Sequence, residues 1–313
     1  MPINIAVGLL HFNLETTFPS MSFSRKIIIR LAGGLGNQLF QFAAAVNLSQ
    51  SQGLPFSSIL VDTRFLASYD SKHSYDIGFM SNLFEGVQVG SQLPIVGSIF
   101  SRFRLAKLLN KNFGTFCLIS SLDHLIKINN KRIMASTFIL DGYFQHPNIL
   151  FTEENRIRIC KTLLSSKNSL ICRFKNGSST IGLHIRRGDY VTSKSASKIF
   201  RNISLEYYDS ALSHFKSHNN ILIFSDDREL SAMYAAKVGG IDVRQMNLSL
   251  QDEFCLLMAC DDHIIANSTF SWWAAYLGGK PGGRVISPRN WYHDQMRSQT
   301  NPLLLPHFEL IDA

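Results

Sequence analysis

Residues 180–189 read TIGLHIRRGD, a short apolar run followed at once by two arginines, a glycine and an aspartate. An apolar run of this length beside a glycine predicts a buried β-strand that ends where the charged residues begin. Gly188 relaxes the backbone there, so both guanidinium groups can converge on one ligand. Because an arginine binds phosphate through two parallel, charge-assisted hydrogen bonds, this strand end predicts a pyrophosphate site. An ion pair between Arg187 and Asp189 is the alternative interpretation.

Strands and helices alternate along the rest of the second half of the chain. The sequence predicts a strand at 180–185, a helix at 205–218, a strand at 221–224, a helix from Arg228, a helix at 249–260, a strand at 263–266, a helix at 272–277 and a strand at 284–287. Such alternation predicts a parallel sheet with helices on both faces. Its ligands gather at the carboxyl ends of the strands, and three polar segments, 184–189, 225–227 and 267–271, follow predicted strands directly.

The first half has a strand and helix pattern of its own. The sequence predicts a strand at 26–32, a glycine loop from residue 33, a helix at 37–50, a strand at 58–61, a basic amphipathic helix at 99–109 and a strand at 138–140. The glycine loop departs from the dinucleotide fingerprint because Leu39 occupies the third glycine position. We therefore expect one domain at 25–166 and a second at 167–313, joined by the Ser- and Asn-rich segment 167–179, with residues 1–24 outside the fold.

Composition excludes several classes of protein. The 313 residues are 45% hydrophobic and carry a formal net charge of +8, but the basic residues are scattered and never form a run of five, so nucleic acid is not the expected partner. No stretch approaches the roughly 20 apolar residues of a membrane span. The five cysteines form no Cys-x-x-Cys pair, which favours a reducing compartment and argues against a thiolate metal site.

Four blocks in this chain carry a resemblance to a known family. They are GGLGNQLFQ at 33–41, HIRRGDY at 184–190, FSDD at 224–227 and IIANSTFSWW at 264–273, with DGYFQ at 141–145 as a weaker fifth. In this order they resemble the alpha-1,2-fucosyltransferases of glycosyltransferase family eleven, from about Lys26 to about Trp291. The resemblance implies an α/β fold of two Rossmann-like domains facing a cleft, the GT-B architecture. It also implies inverting, metal-independent transfer of L-fucose from GDP-beta-L-fucose to the 2-hydroxyl of a terminal beta-galactoside.

The resemblance also implies a set of site residues. Similar fucosyltransferases use the arginine matching Arg186 for the β-phosphate, the position of His184 contacts the nucleotide, and that of Asn37 lies near the reacting sugar. Asp189 is our candidate general base because it is the carboxylate nearest the arginines in sequence. The expected catalytic residues are thus Arg186, Asp189 and Asn37, and the expected donor-binding residues are His184, Arg186, Asp226, Asp227, Asn267, Ser268, Thr269, Phe270, Ser271, Gly34 and Gly36.

The residues themselves support part of this reading. A departing pyrophosphate needs either a divalent metal or fixed cations and helix ends. No Asp-x-Asp sequence occurs, and Asp226 and Asp227 are adjacent strand-end carboxylates that we expect to point to different sides. We therefore expect no metal and no cofactor besides the donor. Residues 267–271 precede a helix, whose N–H groups and hydroxyls can receive phosphate.

Each of these residues also has a purely structural alternative. His184 can be a core histidine, Arg187 can be locked to a carboxylate, Asp227 can be only a helix cap, and residues 267–271 can cap a helix without a ligand. Trp272 and Trp273 are expected in the core. For the whole chain, the alternatives are a fucosyltransferase of another linkage or nucleotide sugar, or a non-catalytic nucleotide-sugar or glycan-binding protein. The resemblance implies a bacterial-type, cytoplasmic enzyme; peripheral contact with the inner face of the membrane, the oligomeric state and the acceptor beyond its terminal galactose stay open.

Overall fold

The computed structural model describes residues 25–68, 74–90, 116–175, 178–188, 193–194, 196–215, 220–293 and 301–313. The expected extension at residues 1–24, the expected helix at 99–109 and the candidate base Asp189 lie outside these residues.

The first half of the chain builds a parallel sheet of five strands. The strands are β1 (Lys26–Arg30), β2 (Ile59–Asp62), β3 (Gln88–Gly90), β4 (Phe116–Ile119) and β5 (Thr137–Leu140), in the order β3-β2-β1-β5-β4. The accompanying helices are α1 (Leu35–Ser51), α2 (Arg64–Ser68), α3 (Gly78–Ser81) and α4 (Leu122–Asn129), followed by α5 (Glu153–Ser166) and α6 (Asn168–Lys175). Single 3₁₀ turns occur at Phe56–Ser58 and Pro147–Ile149.

The second half builds a parallel sheet of six strands. These are β6 (Thr180–Ile185), β7 (Asn220–Ser225), β8 (Ile241–Asp242), β9 (Asp262–Ile264), β10 (Val285–Pro288) and β11 (Glu309–Ile311), in the order β11-β10-β9-β6-β7-β8. The helices are α7 (Leu205–Ser213), α8 (Arg228–Val238), α9 (Leu250–Met258) and α10 (Thr269–Leu277), with 3₁₀ turns at Ala196–Lys198 and Val243–Met246. Two parallel α/β sheets confirm the predicted fold class.

Several element boundaries differ from the sequence-based prediction. Helix α10 begins at Thr269 and not at residue 272, because Ser268 caps it by accepting a hydrogen bond from the Phe270 amide. Strand β10 includes Pro288 as its last residue, one position beyond the predicted end. The expected join at 167–179 is largely helical, since α6 buries Ile171 and Phe174. The division of the chain into domains at residue 167 stays a prediction.

One hydrophobic core connects the two sheets through helices α1 and α10. Phe40 of α1 lies with its ring centroid 5.1 Å from Trp272 and 4.8 Å from Trp273. Both tryptophans are fully buried, as the sequence predicted. Since α1 follows β1 and α10 follows β9, this contact ties the two sheets together through the helices that leave their strands.

Each sheet reverses its strand order at one point. The reversal falls between β1 and β5 in the first sheet and between β6 and β9 in the second. In open α/β sheets, ligands bind outside the carboxyl ends of the strands at such a switch point. The fold therefore offers two crevices, one in each sheet.

Candidate active site

The arginine pair lies at the carboxyl end of β6, beside the switch point of the second sheet. Nη1 of Arg186 lies 2.6 Å from Oδ2 of Asp226, and Oδ1 of Asp226 accepts a hydrogen bond of 2.8 Å from the Arg187 amide. A Cβ at Gly188 would lie 2.2 Å from Oδ2 of Asp226, so a larger residue there would displace this carboxylate. Glycine at position 188 therefore allows the Asp226 carboxylate to approach the backbone closely, and this carboxylate holds Arg186 at the crevice.

The two adjacent aspartates have different partners. Asp226 is engaged by Arg186 and by the Arg187 amide, so the structure gives it a positioning role in addition to the expected donor contact. Oδ1 of Asp227 accepts a hydrogen bond from the Leu230 amide at 3.0 Å and caps helix α8. For Asp227 the structure thus shows the cap that the sequence left as an alternative. Among the described residues at this strand end, the arginine side chain that forms an ion pair with a carboxylate is that of Arg186.

His184 is buried beside the same crevice. Its side chain is 5% exposed, and its ring centroid lies 5.5 Å from that of Phe270. Burial, together with the positive charge of Arg186, lowers the pKa of His184 to about 3, so the imidazole is neutral at physiological pH. Its Nδ1 atom has no hydrogen-bond partner among the described residues. Since buried polar atoms are nearly always paired, this Nδ1 atom favours a ligand contact for His184 over the interpretation as a core histidine.

The segment before α10 separates into framework residues and crevice residues. The Nδ2 atom of Asn267 donates to two backbone carbonyls of neighbouring loops, at 2.8 and 2.9 Å. Ser271 is fully buried, and its hydroxyl donates to the Ser268 carbonyl. Asn267, Ser268 and Ser271, which the sequence placed among the donor-binding residues, therefore hold the turn together. Thr269 and Phe270 are partly exposed and lie at the positive end of the helix.

The N-termini of α1 and α10 meet. A Cβ at Gly36 would lie 2.4 Å from the carbonyl carbon of Thr269, so glycine at this position permits the close approach of the two helices. Oδ1 of Asn37 accepts hydrogen bonds from Nε2 of Gln145 at 2.7 Å and from the Thr269 hydroxyl at 3.3 Å. Gly34 is the extended N-cap residue of α1. The positive N-terminal ends of two helices thus meet, an arrangement that favours an anion.

Sequence reasoning missed Gln145 as a site residue. It belongs to the weak DGYFQ block, which resembled the family without suggesting a role, and it contacts Asn37 across 108 sequence positions. The three polar segments behind β6, β7 and β9 do lie together, because these strands are neighbours in the order β9-β6-β7. The sequence had predicted this shared edge.

A guanidinium and two helix N-termini at the edge of paired parallel sheets can stabilise a departing diphosphate. Fold and site together define a glycosyltransferase of the GT-B architecture.

Comparisons with known proteins give the family. The profile of Glycosyl transferase family 11 matches residues 97–308. The O-antigen biosynthesis glycosyltransferase WbnK of Escherichia coli is 30% identical over 294 residues, covering 86% of this chain and 96% of WbnK. An alpha-1,2-colitosyltransferase of Escherichia coli is 29% identical, covering 88% of this chain and 96% of that relative. The chain belongs to glycosyltransferase family 11 and is a glycosyltransferase.

Two further similarities are more limited. The mouse galactoside 2-alpha-L-fucosyltransferase Sec1 is 32% identical over 111 residues, which cover 33% of this chain and 29% of Sec1. The crystal structure of the fucosyltransferase NodZ from Bradyrhizobium has a TM-score of 0.50 at 16% identity, covering 82% of this chain and 94% of NodZ. This second similarity concerns the fold alone.

Proposed function

We propose that this enzyme transfers L-fucose from GDP-beta-L-fucose, with inversion and without a metal ion, to the 2-hydroxyl of a terminal beta-galactoside. The observations that carry the proposal are that Arg186 follows β6, that α10 begins after the neighbouring strand β9 with Phe270 beside His184, and that the N-termini of α1 and α10 meet. The names of the mouse relative and of the colitosyltransferase support the 1,2 linkage. The family motifs support the fucose donor.

In this proposal the reaction is a single displacement. The acceptor oxygen forms a bond to the anomeric carbon from the face opposite the diphosphate. The bond between that carbon and the phosphate oxygen breaks, and its electron pair leaves on GDP. Negative charge therefore grows on the diphosphate, where fixed positive groups stabilise the transition state more than the ground state.

Each residue of the crevice has a role in this step. Arg186, held by Asp226, binds the β-phosphate, and the first amides of α10 bind the same diphosphate. Neutral His184 offers its unpaired Nδ1 to the nucleotide. Asn37 carries no charge, so it orients the donor and transfers no proton. Asp189 keeps its role as candidate base, a prediction on a residue outside the described part of the chain.

A donor with another sugar is the second candidate. The relative named as an alpha-1,2-colitosyltransferase is aligned over nearly its whole length with this chain, so nucleotide-activated colitose is a specific rival to GDP-fucose. The same crevice can bind both donors, because Arg186 and the N-terminus of α10 bind the diphosphate and not the sugar.

The test is a product assay. Purified enzyme is incubated with GDP-fucose, or with the colitose donor, and with lactose, N-acetyllactosamine or a type 1 chain. We expect GDP release with fucose transfer, and NMR of the product should show an alpha-1,2 linkage to galactose. Transfer of colitose alone, or a different linkage, would replace the proposal by the corresponding alternative.

The cellular location and the partners of the protein form the last part of the proposal. Within the described ranges, no helix has both the length and the apolar character that crossing a membrane requires. The cytoplasmic location, the peripheral membrane contact and the oligosaccharide acceptor stay predictions. Nucleic acid has no part in the proposal.

A further inference from the structure

The switch point of the first sheet carries polar side chains that the donor site does not use. Arg30 is the last residue of β1, and Asp141 follows β5, the strand beside it. Nη1 of Arg30 lies 2.9 Å from Oδ2 of Asp141. The Asp141 side chain is 42% exposed, so much of the carboxylate faces solvent. This pair lies where a doubly wound sheet binds its ligand.

An exposed aromatic residue follows directly. Tyr143 is 50% exposed, whereas its neighbour Phe144 is 5% exposed and has a φ of 52°, in the left-handed region that residues other than glycine rarely adopt. The turn at Phe144 leaves Tyr143 at the surface and lets Gln145 reach Asn37. Strained residues of this kind concentrate at functional sites.

The same loop is joined to the donor crevice by hydrogen bonds. Gln145 donates to Asn37, which also accepts from Thr269 at the start of α10. On the other side, Nε2 of Gln41 in α1 donates to the Gly142 carbonyl at 3.2 Å. The loop that carries Asp141 and Tyr143 therefore has a defined position relative to the helix ends that receive the diphosphate.

We propose that Arg30, Asp141 and Tyr143 form the binding site for the acceptor saccharide. This inference rests on the proposed function and adds the residues that recognise its second substrate. The carboxylate accepts hydrogen bonds from sugar hydroxyls, the guanidinium donates to sugar oxygens, and the tyrosine ring packs against the apolar C–H face of the sugar. Its ligand is a neutral pyranoside with neighbouring hydroxyls, the class to which a terminal galactoside belongs.

Charge distinguishes this crevice from the donor crevice. Arg30 and Asp141 neutralise each other, and the exposed member is the carboxylate, which repels a diphosphate. In the second sheet the Asp226 carboxylate is less exposed, at 24%, and is also engaged by the Arg187 amide, and the positive N-terminus of α10 follows the neighbouring strand β9. A neutral sugar is therefore the matching ligand for the first crevice, and the charged nucleotide for the second.

The experiment measures acceptor and donor binding separately. Initial rates of GDP release give KM for lactose at saturating GDP-fucose and KM for GDP-fucose at saturating lactose. Saturation-transfer NMR of lactose with GDP present reports acceptor binding without requiring transfer. The variants are Asp141→Asn, Tyr143→Ala and Tyr143→Phe. The matched control is Asp209→Asn, which removes a carboxylate of the same 42% exposure that is also ion-paired, to Lys237 at 2.6 Å on helices away from both crevices.

We expect Asp141→Asn to raise the acceptor KM about tenfold to a hundredfold, the effect of losing a hydrogen bond to a charged group. Tyr143→Ala should raise it about threefold to tenfold, the effect of losing a ring contact. The GDP dissociation constant should stay within about twofold, which also shows that each variant is folded. Tyr143→Phe keeps the ring and should retain most of the affinity. Asp209→Asn should match the wild type in both KM values.

An acceptor KM within twofold of the wild type in both Asp141→Asn and Tyr143→Ala would overturn the inference and make the ion pair a tie between β1 and β5 alone. A wild type that shows no saturation transfer with lactose, N-acetyllactosamine or a type 1 chain would also overturn it. Failure of the proposed function looks different. In that case the wild type binds the saccharide and Asp141→Asn does not, yet the wild type releases no GDP from GDP-fucose.

Discussion

Arg186 is the residue whose loss tests the chemistry most directly. Its guanidinium is 28% exposed and is held by Asp226 at 2.6 Å. Removing one donor to a developing oxyanion costs about 2.7–4 kcal/mol, and a single charge-assisted hydrogen bond contributes about 1.5–3 kcal/mol. Partial exposure screens the charge, so the overlap of these ranges, near 3 kcal/mol, is the appropriate estimate. Arg186→Ala should therefore lower kcat about a hundredfold.

The assay is GDP release from GDP-fucose with a galactoside acceptor, at saturating levels of both substrates. Asp226→Asn tests how Arg186 is positioned: it removes the partner charge but keeps an oxygen for the Arg187 amide, so we expect a loss of about tenfold. The Arg186–Asp226 pair is about three-quarters buried, so each variant leaves a partner uncompensated and should lose about 1–3 kcal/mol of unfolding free energy, which denaturant titrations measure.

Arg156→Ala is the matched control for losing a paired arginine. This side chain is 27% exposed, pairs with Glu153 on α5 and donates to the Leu277 carbonyl at the opposite end of α10. We expect a lower melting temperature and a kcat within a few-fold of the wild type. A folded Arg186→Ala enzyme with near-normal kcat would refute the assignment of Arg186 to the departing diphosphate.

Three other outcomes are expected. Gly36→Ala should destabilise the protein by about 1–3 kcal/mol and weaken GDP binding, since its Cβ would meet the Thr269 backbone at 2.4 Å. Gly239 has a φ of +66° and open space around it, so Gly239→Ala should cost about 1 kcal/mol and leave GDP affinity unchanged. Thermal melts compare the stabilities of the two variants, and calorimetry compares their GDP affinities. The pKa of His184 is lowered to about 3, so between pH 7 and pH 5 its imidazole takes up a proton in the unfolded chain and stays neutral in the folded chain. His184 should therefore lower the unfolding free energy by about 2 kcal/mol over this range, and denaturant titrations of His184→Gln should lack that contribution. Activity in excess EDTA should stay within about twofold of the untreated rate, because fixed cations and helix ends supply the positive charge; a large loss that Mg²⁺ or Mn²⁺ restores would contradict metal independence.

The strand ends illustrate how much of the site was readable from the sequence. Strand β6 was predicted with its observed bounds because its apolar residues are contiguous and the next residues are charged. Asp227 acts as the helix cap that the sequence offered as an alternative, and the helix predicted from residue 249 begins directly after its cap Ser249. Short strands such as β3, β8 and β11 were missed, since two or three residues carry no periodicity that distinguishes a strand from a loop.

Roles inside the predicted blocks were less readable. Ser271 and Thr269 are polar residues of one block, yet Ser271 is fully buried and bonds within its own turn, while Thr269 reaches Asn37. Their difference follows from which side of the first helical turn faces the core, and this side is set by the packing of α10 on α1. Composition and spacing carry no information about that packing.

The sequence by itself determined the α/β class, the positions of several strands along the chain and the polar segments that follow them, because each depends on residues close together in the chain. Only the tertiary structure decided that Asp226 pairs with Arg186, that Gly36 lets two helix N-termini meet, and that Asn37 binds Thr269 across 232 positions. These contacts arise from how two sheets pack through α1 and α10. Such packing depends on the shapes of surfaces assembled from distant segments, which no local pattern of residues specifies.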